Sequence, residues 1–434
     1  MTGAALFTPD FKMLPYWWDL TPPAELDPRP APPRSVDVLV VGSGYTGLNA
    51  ALRTARGGRS TLVVDAQAIG WGCSTRNGGQ VSTSIKPSLS ELASAHGEDR
   101  ARRIIQEGHR SLSWLGEFVE AERIDCDFRV SGRFHAAHSP RQYEALARQI
   151  ASRPTGIEVD AELVPRADQR RELGTDAYHG GVVYRRHASV DPARLHAGIL
   201  QRVIAAGGVL MPHCVVEAIE GSRPHGFRVR TSRGEVLARD VIVATNAYSG
   251  RATPWLRRRV IPIGSYIIAT EPISPERMNR LFPTDRMVTD TRKVVYYYRA
   301  SPDRTRILFG GRVSWNETDP LKSAPLLHAE LARLFPELAG TRITHSWMGL
   351  VAYTFDHLMH TGTHAGVRYS AGYCGSGIGM ASYLGMKLGL KVLGRPEGAS
   401  ALDDLSFPTR PFYAGYPWFL APAISYYRWR DRRS

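Results

Sequence analysis

Three glycines at a fixed spacing, Gly42, Gly44 and Gly47, follow the apolar run VDVLVV, and Asp65 stands at the end of the next apolar run, TLVV. This pattern can hold a dinucleotide. Gly42 permits a tight turn, Gly44 lets the backbone approach a pyrophosphate, and Gly47 allows close helix–strand packing. The helix that opens at Tyr45 and Thr46 offers free N–H groups and a positive dipole end to the diphosphate. Asp65, with Ala66 beside it, would accept hydrogen bonds from an adenosine ribose. The motif alone leaves NAD and FAD open.

Three further segments favour FAD. The first is GWGCSTRNGGQ, containing Gly72, Cys73, Ser74, Thr75, Arg76, Asn77, Gly78, Gly79 and Gln80. Small residues let the backbone come close to a ribityl chain and an isoalloxazine ring, and the polar side chains can bond them. The second is VIVATNAYSG, a strand ending in a turn at Thr245, Asn246 and Tyr248. The third is AGYCGSGIGM, where Gly375, Ser376, Gly377, Ile378, Gly379 and Met380 open a helix. A helix N-terminus there would stabilise negative charge on a reduced flavin.

The elements needed to position these residues can be read along the chain. Residues 36–41 and 61–64 read as buried parallel strands around a small-residue helix. The loop 70–84 leads into a helical stretch over 89–121, a strand-like segment over 128–137 and a helix over 140–152. Asp191 and Pro192 cap and begin a helix running to 206. Strands follow over 209–216, 227–231 and 236–244, then a strand-rich stretch over 261–312. The organisation expected is α/β. A Rossmann-type FAD-binding domain is built from residues 35–90, 160–255 and 343–405. An antiparallel-sheet α+β substrate domain, formed by 91–159 and 256–342, is interleaved with it. Residues 1–34 read as a proline-rich arm anchored by Tyr16, Trp17 and Trp18, and 406–434 as a basic, aromatic tail.

With 434 residues, the chain is too long for one simple core. Four cysteines, Cys73, Cys126, Cys214 and Cys374, lie far apart with no C-x-x-C pair. That excludes a zinc ribbon or disulfide framework, predicts no metal site, and fits a reducing cytoplasm. No apolar run reaches membrane-spanning length and no secretory leader is visible. The formal charge of +14 comes from dispersed arginines, which argues against nucleic acid and fits a basic surface for anionic small molecules. The tail mixes aromatics and arginines as interfacial helices do, leaving peripheral membrane contact open.

Taken in order, GSGYTG, Asp65, GWGCSTRNGGQ, DPARL, VIVATNAY, LFGGR, Trp347-x-Gly349 and AGYCGSGIG resemble the D-amino-acid-oxidase-like family of FAD-dependent amine oxidoreductases. The RNGGQ and YYYR…ILFGGR stretches are most similar to its γ-glutamylputrescine oxidoreductase branch. The resemblance implies non-covalent FAD and removal of a hydride from the carbon next to an amine, followed by imine hydrolysis. It places Gly42, Gly44, Gly47 and Asp65 on the adenosine diphosphate and Ser74 to Gln80 along the diphosphate and flavin. Val216 would meet the adenine through its backbone, and Gly349 and Gly375 to Met380 would lie near the ring.

Hydride transfer of this kind needs a neutral amine in a dry, oriented site more than it needs a nucleophile. Tyr296, Tyr297, Tyr298, Trp347, Tyr353 and Phe355 are candidates for an aromatic wall. Strand alternation lets either Tyr297, or Tyr296 with Tyr298, face the cavity, but not both. The catalytic set expected is Tyr298, Trp347, His345 and Arg306. His345 or His357 would take the amine proton, and Arg299, Arg306 or Arg312 would bind a substrate carboxylate. The family's oxygen-activating lysine has no match here. Arg306 is the nearest cation, so the acceptor is oxygen or another oxidant. A flavin hydroxylase of the same fold, a tRNA-linked flavoprotein and a membrane-surface flavin dehydrogenase are the alternative functions.

Overall fold

The computed structural model describes residues 6–26, 31–83, 85–152, 156–312 and 318–433, with side chains described as far as Asp431. Ser84 of the predicted loop, four residues of the arm's proline-rich stretch and the tail arginines Arg432 and Arg433 lie outside what is described for side chains or backbone.

Two sheets organise the chain. In the first, Ser35–Val41 pairs in parallel with Thr61–Val64 on one side and Gly234–Val243 on the other, and Thr61–Val64 pairs in parallel with Val209–Met211. Antiparallel strands Gly226–Thr231 and Val216–Ser222 extend this sheet, and Val367–Ala371 joins Gly234–Val243 in parallel. The central strands are buried on both faces, which is why their sequences are continuous Val/Leu/Ile runs rather than alternating ones. Helices Tyr45–Arg56, Pro192–Ala205 and Gly377–Val392 share one core with Leu89–His96 and Glu98–Ala121. The helical stretch over 89–121 is two helices, because Gly97 takes φ +81° between them.

Gly377–Val392 crosses Tyr45–Arg56 at backbone contact. A Cβ on Gly385 would lie 2.3 Å from the Thr46 carbonyl oxygen, and one on Gly389 would lie 2.7 Å from that of Ala50. The same closeness governs the first turn, where a Cβ on Gly47 would sit 1.9 Å from the Gly42 oxygen.

The second sheet has nine strands and is mostly antiparallel. Its order is Phe7–Lys12, Ile343–Tyr353, Ile261–Thr270, Ile307–Gly311, Tyr297–Ala300, Met287–Asp290, Arg133–Ala136, Gly181–Tyr184 and Ala161–Val164. Its back face packs Phe134, Tyr266, Tyr298 and Phe309 against Leu331 and Leu334 of helix Pro320–Leu334. On its front face lie Ile267, Leu308 and Trp347, covered in part by Trp17.

Segment membership departs from the sequence expectation in three places. Strands at 161–184 and 343–353, expected with the nucleotide-binding part, belong to the nine-stranded sheet. Helix Glu98–Ala121, expected with the substrate part, packs in the core of the nucleotide-binding layer through Ile104, Leu112 and Leu115. The arm is more than an anchor, since Phe7–Lys12 is an edge strand running parallel to Ile343–Tyr353. None of these pairings leaves a local signal, because each joins segments far apart in the chain.

Gly385→Ala tests the helix crossing. Forcing a methyl group against the Thr46 carbonyl is expected to cost about 1–3 kcal/mol through overpacking. Thermal unfolding would show it as a lowered midpoint.

Candidate functional site

A single cavity of about 2020 Å³ runs between the two sheets. Ligand pockets usually measure roughly 300–1,000 Å³, so this one has room for a cofactor and a second molecule end to end.

At one end Gly42, Gly44, Tyr45, Thr46, Asp65, Ala66 and Val216 line the wall. Asp65 Oδ2 accepts from the Ser43 N–H and hydroxyl at 2.8 and 2.6 Å, and Oδ1 accepts from the Gln67 N–H at 3.0 Å. The carboxylate is thereby fixed at the strand end before any ligand arrives. Ser74 Oγ accepts from the Tyr45 N–H at 3.0 Å, tying the loop to the first turn of the helix.

The middle of the cavity is bordered by the loop Gly70–Gln80. Donors from outside the cavity hold its carbonyls. Trp347 Nε1 donates to Arg76 O at 2.8 Å, Trp17 Nε1 to Asn77 O at 2.9 Å, and Arg299 Nη1 to Gly79 O at 3.1 Å. Trp18 Nε1 adds a bond to Thr75 Oγ1 at 3.0 Å. The Arg76 guanidinium lies between the Trp18 and Trp71 rings, 4.4 and 4.5 Å from their centroids. Gly79 has φ +69°, and a Cβ there would lie 2.2 Å from the Val190 oxygen.

Past the loop, Gly349, Tyr353, Gly375, Ser376, Gly377 and Ile378 line the cavity with Thr245, Asn246 and Tyr248. Asn246 Oδ1 accepts from the Gly372 N–H at 2.9 Å, joining the two turns. A Cβ on Gly375 or Gly377 would meet nothing within 4 Å, so the start of helix Gly377–Val392 opens onto free space. Burial raises both nearby thiols, Cys73 and, to about 11, Cys374.

Of the other cofactor candidates, Gly72, Cys73, Ser74, Arg76, Asn77, Gly78 and Gln80 reach the cavity. Gly47, Thr75, Gly79, Gly379 and Met380 do not line it. They support the wall from behind: Gly47 at the helix–strand crossing, Thr75 by donating to Gly70 O, and Gly379 against Ser111.

The four expected catalytic side chains lie elsewhere. Tyr298 is on the back face, stacked on Phe309 and donating to the Tyr178 hydroxyl at 3.1 Å. Alternation gives the front face to Tyr297, which does line the cavity, and sends Tyr296 behind with Tyr298. Trp347 faces forward but is covered by the loop it holds. His345 Nε2 bonds Asp19 of the arm at 3.0 Å, and Arg306 Nη1 donates to Thr270 O at 2.8 Å. Both side chains are spent on tying the sheet edge.

Tyr297, Tyr353, Phe355, His357 and Arg312 all line the cavity. The sequence reading missed Lys86, Arg133, His135 and Thr289, and missed that Phe419, Ile424 and Tyr427 of the tail close one wall. Asp431 fastens that tail helix by accepting the N–H groups of Lys293 and Val294 at 3.0 and 3.2 Å. His135 Nδ1 is 2.9 Å from Thr289 Oγ1. Burial, helped by Arg133 and Lys86, lowers this histidine to about 3.

Glycines at the close approaches, a preset acid at the strand end, a loop with its carbonyls drawn away from the cavity and an open helix N-terminus suit an extended dinucleotide carrying a ring. Among the described residues no group of His, Cys, Asp and Glu could hold a metal. No described helix is long and apolar enough to cross a membrane.

Residues 37–389 match the model of the FAD dependent oxidoreductase family. The chain is 32% identical over 401 residues to γ-glutamylputrescine oxidoreductase of Escherichia coli strain K12, covering 91% of this chain and 93% of that one. It is 29% identical over 428 residues to the probable oxidoreductase OrdL of Rhizobium meliloti, covering 96% and 97%. Among solved structures, glycine oxidase from Geobacillus kaustophilus shares the fold at a TM-score of 0.72 and 19% identity, over 88% of this chain and 99% of that one. The chain therefore belongs to the FAD dependent oxidoreductase family, and its cofactor is FAD.

Trp347→Phe removes one donor from a buried loop carbonyl, a loss of about 1–3 kcal/mol. FAD titration of the apoprotein is expected to show weaker binding while the protein stays folded. His135 gives a second test. Its folded pKa is depressed, so between about pH 6.5 and 3 the unfolded chain holds one more proton and stability falls as pH drops. His135→Asn is expected to make the pH dependence of thermal unfolding shallower in that window.

Proposed function

We propose that this family member oxidises an amine, removing two electrons as a hydride from the carbon that bears nitrogen. The observation that carries this reading is the chamber beyond Gly78, where Tyr297, Ile263, Tyr353 and Phe355 wall the cavity beside Arg312. The name of the relative at 32% identity, an oxidoreductase of γ-glutamylputrescine, supports it.

Bound FAD supplies the two-electron acceptor, held by Gly42 to Asp65, the Gly70–Gln80 loop and the Gly375–Ile378 turn. The raised pKa of both nearby thiols favours a non-covalent cofactor.

The chain's own part is placement and desolvation. Desolvation in the chamber disfavours an ammonium ion, so the amine reacts as the neutral base whose lone pair can assist C–H cleavage. Tyr297 is 2.8 Å from Ser265 Oγ, and burial pushes its hydroxyl up to about 12, so it stays neutral and serves as a hydrogen-bonding wall. The Arg312 guanidinium, anchored by Nη1 on Gly264 O at 2.8 Å, opposes a second positive charge and suits a carboxylate. The imine then takes up water and releases a carbonyl compound and an amine or ammonia. The electrons pass on to oxygen or another acceptor.

Anaerobic mixing of the purified holoenzyme with primary and secondary amines is expected to bleach the flavin band. Rapid bleaching by NADPH with no response to amines would instead show a hydroxylase.

A further inference from the structure

The tail turns a set of aromatic rings outward that the cavity does not use. Phe412, Tyr416 and Trp418, on the loop before the last helix, are 97%, 74% and 62% exposed. Tyr426 and Trp429, on helix Leu420–Arg433, are 53% and 50% exposed, and their rings stack 6.1 Å apart one turn from each other. Among the described residues the other exposed aromatic side chains, Trp71 and Tyr248, both line the cavity. The outward rings are held on a firm base. Tyr413 is buried between them, donates to Val260 O at 2.7 Å and packs on Phe355. Phe412 takes φ +61°, a backbone conformation that a bulky residue adopts only at a cost. Open aromatic surface on this scale marks an interaction site.

The charge around the rings is positive. Residues 406–434 hold five arginines and one acid, Asp431, whose carboxylate is spent on the N–H groups of Lys293 and Val294. The fold also brings the run Arg257, Arg258, Arg259 against the same tail. Gly415 packs on the Arg257 side chain, Thr409 donates to Arg258 O at 2.5 Å, and Arg259 donates to Phe407 O at 2.9 Å. Arg258, Lys293 and Arg410 are exposed.

We propose that this surface docks the enzyme on an anionic lipid bilayer. Tyr and Trp rings carry an apolar body and a polar edge, which suits the boundary between headgroups and acyl chains. The surrounding cations meet the negative leaflet. A symmetric contact with a second copy would satisfy the rings but set the same cations against one another. Because Ile424 and Tyr427 on the inner side of the helix line the cavity, docking sets the bilayer about 10 Å, one helix diameter, from that wall.

Cosedimentation of the holoenzyme with vesicles tests this without turnover. The protein is expected to pellet with phosphatidylcholine vesicles that contain phosphatidylglycerol, to stay in solution with phosphatidylcholine alone, and to lose binding as salt is raised. The double variant Phe412→Ser/Trp418→Ser changes two exposed side chains outside the cavity lining, so its flavin spectrum should match that of the parent protein. Its partition onto the anionic vesicles is expected to fall at least about tenfold, the scale of two rings withdrawn from an apolar layer. No pelleting with the anionic vesicles, equal pelleting with the neutral ones, or undiminished binding of the double variant would overturn the proposal. So would a dimer in sedimentation velocity that the same double variant converts to monomer, since a second copy would then cover the rings.

Discussion

Peptide carbonyls near a cofactor must have partners, and in this molecule their partners come from outside the cavity. The oxygens of Arg76, Asn77 and Gly79 are taken by two indoles and a guanidinium rooted in the arm and the nine-stranded sheet. Buried carbonyls without such donors would turn toward the cavity and present negative charge to a diphosphate or a reduced ring. The nucleotide layer therefore depends on the second sheet for the shape of its most important loop. The two layers make one site rather than two adjoining ones.

This dependence explains which residues were legible in the sequence. Gly42, Gly44, Gly47 and Asp65 act within one βαβ unit, so their spacing carries their meaning. The loop 70–80 and the turn at 375–378 were readable by composition, since a backbone that meets a ligand needs small residues. Trp347 and Arg299 were visible as chemistry but not as direction. Both face forward, and both are spent on the loop. Tyr297 and Tyr298 show the same limit more sharply, because alternation says that they oppose each other but only the register of distant strands says which one meets the cavity.

Lys86, Arg133 and His135 had no local mark at all. They come together because Arg133–Ala136 enters the sheet between Met287–Asp290 and Gly181–Tyr184, far from its chain neighbours. The tail was read as a candidate interfacial segment from its aromatics and arginines. Its helix turns Ile424 and Tyr427 inward to the cavity and leaves Tyr426 and Trp429 outward, so one short element serves wall and surface together.

The pairing of the arm with Ile343–Tyr353 joins residues 335 positions apart, as at Thr8 and Ile343. Loop closure over such a span must be met before its contacts repay it, which makes this a late step in folding. Trp17 and Trp347, the two indoles under the loop, lie on either side of that closure. During synthesis the glycine turn can form early, but the loop that completes the flavin site must wait for nearly the whole chain to emerge.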